Sequence, residues 1–148
     1  MIQTLSGLLT PAIAVITASI LVFQYLLAKR RWRLDLYDRR YPVYLASMEF
    51  LSLIMQNANV SREELVKFLR NCKDKEFLFG NDVKEHLEEL YNKGVDLMRH
   101  TSLTEAGNME EEKRLKWIDE EMNLIAWFGN QFDVSKRIFG AYLAITKK

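Results

Sequence analysis

The side chains best suited to proton transfer or metal binding are few and badly placed for either. His86 and His100 are the only histidines, and Cys72 is the only cysteine. On one helix the two imidazoles stand about 21 Å apart along the axis, at 1.5 Å rise per residue. They can share a helix face but not a metal ion. Neither belongs to a Glu-x-x-His pair, so a bundle di-iron site lacks its ligands. One thiol cannot complete a structural zinc site. Both histidines are expected in surface or half-buried structural roles. Glu85, Glu88 and Glu89, or Glu120 and Glu121, could supply an acid–base pair. Carboxylates grouped on a helix more often form a solvated face. There is no glycine-rich phosphate loop and no nucleophile motif. The chain is therefore expected not to be an enzyme and to need no cofactor and no metal.

The chemistry the chain does offer belongs to a membrane. No charged side chain occurs from Met1 to Ala28, and the run ends at Lys29-Arg30-Arg31-Trp32-Arg33. About 20 apolar residues carry a helix across the hydrocarbon core, and a helix is the only lipid-exposed conformation that satisfies such a backbone. A cleaved signal peptide carries its positive charge before the apolar run; here the charge follows it. The expectation is one transmembrane helix over 1–28, a basic juxtamembrane neck over 29–41 and a helical bundle over 42–148. Lys29, Arg30, Arg31, Arg33, Arg39 and Arg40 form the interface set, which attracts anionic headgroups by about 1 kcal/mol per charge near the surface. Under the positive-inside rule the N-terminus lies outside and the rest lies in the cytoplasm. That makes a single-pass protein of the inner membrane, with Trp32, Tyr25 and Tyr37 candidates for headgroup depth.

The span has a patterned surface. Gln3, Gly7, Thr10, Ala14, Thr17, Leu21, Gln24 and Ala28 alternate at spacings of four and three, which puts them on one stripe. All but Leu21 are small or polar. Another face carries Leu9, Ile13, Ile16, Ile20, Phe23 and Leu27. Small and polar residues let helices in lipid approach closely and hydrogen-bond across the contact. The stripe is read as a self-association face or a pore lining. In the alternative, its hydroxyls bond only their own helix backbone. Pro11 lies near the outer end, where it starts or kinks the helix.

The remaining residues must position whatever the span does. Of the 21 basic and 20 acidic side chains, six and two fall in 29–40, leaving fifteen and eighteen beyond. A mildly acidic domain behind a basic neck points to membrane-surface contact rather than to DNA. A lone cysteine excludes an intrachain disulfide and fits a reducing compartment. The fold expected is all-α. Leu36, Tyr37, Tyr41, Tyr44, Met48, Leu51 and Met55 recur at helical spacing. Pro42 either starts a new helix or bends a continuous one, and Gln56 to Asn59 closes it. Ser61 and Glu64 form a capping box for a short helix through Leu65 and Phe68. Phe77 to Gly80 reads as an aromatic turn packed under the domain. Asp82 and Glu85 suggest a second box, opening a helix through Leu87, Leu90, Tyr91, Leu97 and Met98. Thr104 to Asn108 reads as a loop. Glu110, Glu111 and Glu112 suit the first turn of a last long helix, whose core side would be Leu115, Ile118, Met122, Ile125 and Phe128. Gly129-Asn130 is expected to end that helix before a terminal one through Ile138 and Tyr142.

The stretch Arg33-Leu34-Asp35-Leu36-Tyr37-Asp38-Arg39-Arg40-Tyr41-Pro42-Val43-Tyr44, directly after one span, resembles a broad group of bacterial membrane proteins that carry a cytoplasmic helical domain. The resemblance covers anchor, neck and Phe77-Leu78-Phe79-Gly80, and loosely Phe139 to Leu143. Within that architecture the chain is similar to the small membrane accessory proteins of type VI-B CRISPR systems. That similarity implies a HEPN-like bundle with a degenerate motif. Arg70-Asn71 matches the motif's start, but Lys75 stands where its histidine belongs, and neither His86 nor His100 follows an arginine at the right distance. The pair is an inactive remnant or a coincidence, and a general base for RNA cleavage is missing. The resemblance further implies a ring-shaped homo-oligomeric pore that permeabilises the membrane in antiphage defence. Its partners would be lipid, other copies of itself, and a CRISPR effector or its RNA products. The alternative is a tethered helical module that recruits a cytoplasmic partner without pore or catalysis.

Overall fold

The computed structural model describes the backbone of residues 2–105 and 111–144 and the side chains of residues 13–102 and 112–144. Every element among them is a helix: α1 (Ile2–Asn57), α2 (Arg62–Asn71), α3 (Lys75–Leu78), α4 (Asn81–Glu105) and α5 (Glu111–Leu143). The all-α class expected from periodicity is what the chain adopts. Two compact units divide it at Leu36/Tyr37, a point inside the neck.

The first unit is the beginning of α1. It lies within a helix long and apolar enough to cross a membrane. Its side chains from Ile13 to Leu34 are all exposed. Ile16, Ile20, Phe23 and Leu27 are among these exposed side chains, so they face whatever surrounds the helix. The helix does not stop at Pro42. Proline removes one intrahelical donor, and the carbonyl that loses it belongs to Asp38. Both residues are exposed, so solvent can satisfy that carbonyl.

The second unit is a bundle. α1 buries Val43, Ala46, Ser47, Phe50, Leu51 and Ile54, whose three- and four-residue spacing makes one face. Phe50 stacks on Phe68 of α2 at 4.3 Å and meets Phe128 of α5 edge-on at 6.4 Å. Asn57 ends α1, and Ala58 turns the chain with φ at 51°. Ser61 then caps α2: its hydroxyl accepts from the Glu64 amide at 3.3 Å, and the Glu64 carboxylate accepts from the Ser61 amide at 2.7 Å. Such a cap is worth about 1 kcal/mol, and the box is the one Ser61 and Glu64 predict. At Gly94 of α4 a side chain would sit 2.9 Å from both Phe50 and Leu65, so glycine lets α4 close on α1 and α2.

Several expectations fail in the bundle. α5 runs unbroken through Gly129-Asn130. Gly129 lies beside Met55, whose terminal carbon would be in ordinary contact, 3.6 Å, with an added Cβ, and the roughly 1 kcal/mol helix penalty of an interior glycine does not end the helix. Leu115, Ile118 and Met122 are not core: Leu115 is 65% and Met122 64% exposed. Phe79 is buried, but Phe77 is 87% exposed, so the aromatic turn is only half tucked in. Asp82 does not act as a cap. It lies inside α4 and accepts a hydrogen bond from Tyr142 at 2.6 Å. α4 continues through Glu105, into the expected loop; residues 106–108 and Glu110 lie outside those described, as does the Glu111 side chain.

Candidate functional site: the span stripe, its collar and the bundle interior

Ala14, Thr17, Leu21 and Gln24 all stand exposed on α1, as their spacing requires; the side chains of Gly7 and Thr10 lie outside the described residues. The Thr17 hydroxyl donates to the Ile13 carbonyl at 2.8 Å, and the Ser19 hydroxyl donates to Val15 at 2.8 Å. These donors are satisfied within their own helix, which lets them enter lipid cheaply. A hydroxyl oxygen keeps acceptor capacity after donating, so Thr17 can still receive a bond from a neighbour. Gln24 differs. Two donors and an acceptor project from it, and no side-chain hydrogen bond holds them among the described residues. An amide left unpaired in hydrocarbon costs several kcal/mol. Water at the interface, or a second polar surface, must meet it.

Lys29, Arg30, Arg31 and Arg33 are exposed, as is Trp32, so the start of the neck presents the basic and aromatic surface its sequence suggests. Arg39 is also exposed. Arg40 leaves this set. Its Nε donates to the Leu78 carbonyl at 2.9 Å and a terminal nitrogen donates to the Tyr142 carbonyl at 3.3 Å. Its guanidinium also lies over the Phe79 and Tyr142 rings, 5.8 and 5.3 Å from their centroids. The residue is a bundle tie, with its planar charge spent on carbonyls and ring faces. Tyr142 completes the tie by donating to Asp82 and accepting from the Gly80 amide at 3.2 Å. The hydrogen bond to Asp82 holds the phenol's pKa above its usual value, so the donor stays protonated.

The titratable groups of the interior do not form a reaction site. His86 is buried, and its Nε2 lies 2.7 Å from the Ser135 hydroxyl. Ser135 is itself fully buried. Burial pushes the His86 pKa down, opposed by the nearby Glu89 charge. Its folded pKa is therefore below the unfolded value of about 6.5. The neutral ring's stability is fully present above that value and is lost as pH falls through the folded pKa. Thermal scans in detergent micelles from pH 8 to 5 are expected to show a falling midpoint below about pH 6.5, with a shallower fall for His86→Gln. Identical pH dependence in the two proteins would contradict this role. Burial also raises the Cys72 thiol to about 12, which leaves it protonated and inert.

Arg70 and Asn71 are both exposed on α2. Neither histidine is brought to them: His86 faces Ser135, and the His100 ring lies tilted against Trp117 with centroids 4.5 Å apart and Glu120 3.8 Å away. Among the described residues, no group of three His, Cys, Asp or Glu side chains is arranged to hold a metal ion. Sequence reasoning missed the Arg40–Tyr142–Asp82 tie, and no local signal marks it, because its members lie far apart in the chain. No family model, no curated protein and no solved structure matches the chain.

Proposed function

We propose that the chain forms a homo-oligomeric pore in the bacterial inner membrane, with its N-terminus outside and its bundle in the cytoplasm. The observation that carries this reading is Gln24: a primary amide with no side-chain hydrogen bond among the described residues, on a span stripe that is small or polar except at Leu21. In a lone helix that amide is a liability; in an assembly of parallel copies it is a bond between neighbours. Ala14 and Thr17 on the same stripe allow the close approach such bonds need. Lys29, Arg30, Arg31 and Arg33 set the depth of each copy and favour anions near the inner mouth. Orientation follows from these charges. The protein's part is permeation, without catalysis, in CRISPR-linked antiphage defence; the defence setting rests on the resemblance of the neck and of Arg70-Asn71.

Exchanging residues 1–28 for an unrelated single span is expected to abolish membrane depolarisation in cells that express the protein, while leaving it in the membrane fraction. The second reading, a tethered docking module, draws on the bare Phe77 ring and predicts that the exchanged protein still works. Replacing Asn71 and His100 together by alanine is expected to leave depolarisation unchanged. Both side chains lie outside the stripe and outside the buried interior core, so a dead but folded double variant would revive an enzymatic reading.

A further inference from the structure

We infer that the copies join head to tail, the outer face of α2 on one copy seating on the bare stripe of α5 on the next. The inference rests on the self-association proposed above and adds the surfaces that meet. Two features of the bundle carry it.

First, α5 outruns its cover. α1 ends at Asn57, with Met55 beside Gly129. Met122 lies on the same face of α5, about 10 Å further along the axis at 1.5 Å per residue. No part of α1 extends there, and Leu115, Ile118 and Met122 stand exposed in line. Glu112 and Asp119 fall on one edge of this stripe by helical register and Arg114 on the other, while Glu121 is turned to α4, where it accepts from Thr101 at 3.3 Å. The rim is net acidic.

Second, α2 presents the complement. Its inner face buries Leu65 and Phe68; its outer face exposes Val66 and Leu69. Arg62, Lys67 and Arg70 flank Val66 there, against Glu63, so this rim is net basic. An open groove on that surface is lined by Arg62, Glu63, Val66, Lys67 and Arg70. The two faces belong to different sides of the bundle. α4 meets α2 at Gly94, beside Leu65, and meets α5 through His86 and Lys93, which pair with Ser135 and Trp127. Two unlike, complementary faces on different sides of one molecule make a heterologous contact, which closes into a ring when the rotation permits. Opposite charge around an apolar centre sets the register of such a contact.

The test uses the full chain in detergent micelles, with particle mass as the readout. Arg62→Glu with Arg70→Glu is expected to weaken assembly at least tenfold, and Glu112→Lys with Asp119→Lys to do the same. All four changes in one chain should restore the wild-type mass. As a check that does not depend on disruption, Leu69→Cys with Met122→Cys should give an oxidative ladder of cross-linked multimers, and neither change alone should give more than traces. A wild-type oligomer whose mass ignores both charge reversals, or dimers from Met122→Cys alone, overturns the head-to-tail contact and leaves the oligomer standing. A wild-type protein of single-chain mass overturns both readings.

Discussion

Cells expressing the double variant Thr17→Leu with Gln24→Leu are expected to lose depolarisation entirely while the protein stays in the membrane. Leucine suits hydrocarbon better than either residue it replaces, so insertion has no reason to fail. What disappears is the polar surface on one stripe. An unpaired amide in an apolar medium costs about 2–7 kcal/mol by the reference chosen; in the proposed assembly that cost favours a bond from Gln24 to a neighbour's acceptor. Measured bonds between membrane helices are smaller, about 0.6–2 kcal/mol each, but a closed ring repeats each of them at every interface. Conservative changes on the lipid-facing side, Ile16→Leu and Ile20→Leu, should leave depolarisation unchanged. If the stripe variant leaks as the wild type does, the stripe neither lines nor holds a pore. Single variants separate the two contributions: Gln24→Leu should cost more than Thr17→Leu, because the Thr17 donor is already satisfied by Ile13.

Phe139→Ala is expected to destabilise the bundle by about 3–5 kcal/mol, the range for large-to-small changes at sealed aromatic sites. A domain of ordinary stability has only about 5–15 kcal/mol in total, so much of the protein would unfold at moderate temperature. Phe139 is fully buried and touches Tyr44 of α1 at 5.5 Å and Phe79 at 5.3 Å. It is where the first helix of the bundle, the turn before α4 and the last helix converge. The Arg40–Tyr142 tie covers the same corner, so the cavity has little freedom to collapse. Gly140→Ala is the matched control one residue on. Nothing lies within 4 Å of the added carbon, and the change should stabilise α5 by up to about 1 kcal/mol. Loss of helical signal on heating in micelles measures both. A Phe139→Ala midpoint within a degree or two of wild type would mean that the corner is not sealed.

Local signals made part of this molecule legible in advance. The charge-free run and its basic end are contiguous, so a helix long and apolar enough to cross a membrane was readable without knowing any contact. The Ser61 box was readable because donor and acceptor lie three residues apart. The stripe was readable because it is a period within one helix. What escaped depends on distant partners. Arg40 looked like the rest of the basic neck, yet its acceptors lie 38 and 102 residues away in sequence. Leu115, Ile118 and Met122 have the periodicity of a core face, and periodicity shows that a face is apolar without showing what covers it. The helix that would have covered them stops at Asn57. Gly129 looked like a helix end because glycine favours ends, yet the helix runs on through it between Phe128 and Phe139, both fully buried. Phe77 and Phe79 are two residues apart and chemically alike, and only the fold assigns one to the interior and the other to the surface.

The stripe's counterpart is missing from the chain for a different reason: on the proposed reading it lies on another copy. The mass of the detergent-solubilised full chain, corrected for bound detergent, therefore bears on the claim most directly. A single discrete species at a multiple of 17.4 kDa is the expected result, and the Thr17→Leu, Gln24→Leu variant should fall toward one chain. A wild-type protein that remains at one chain's mass across detergents and protein concentrations contradicts the pore.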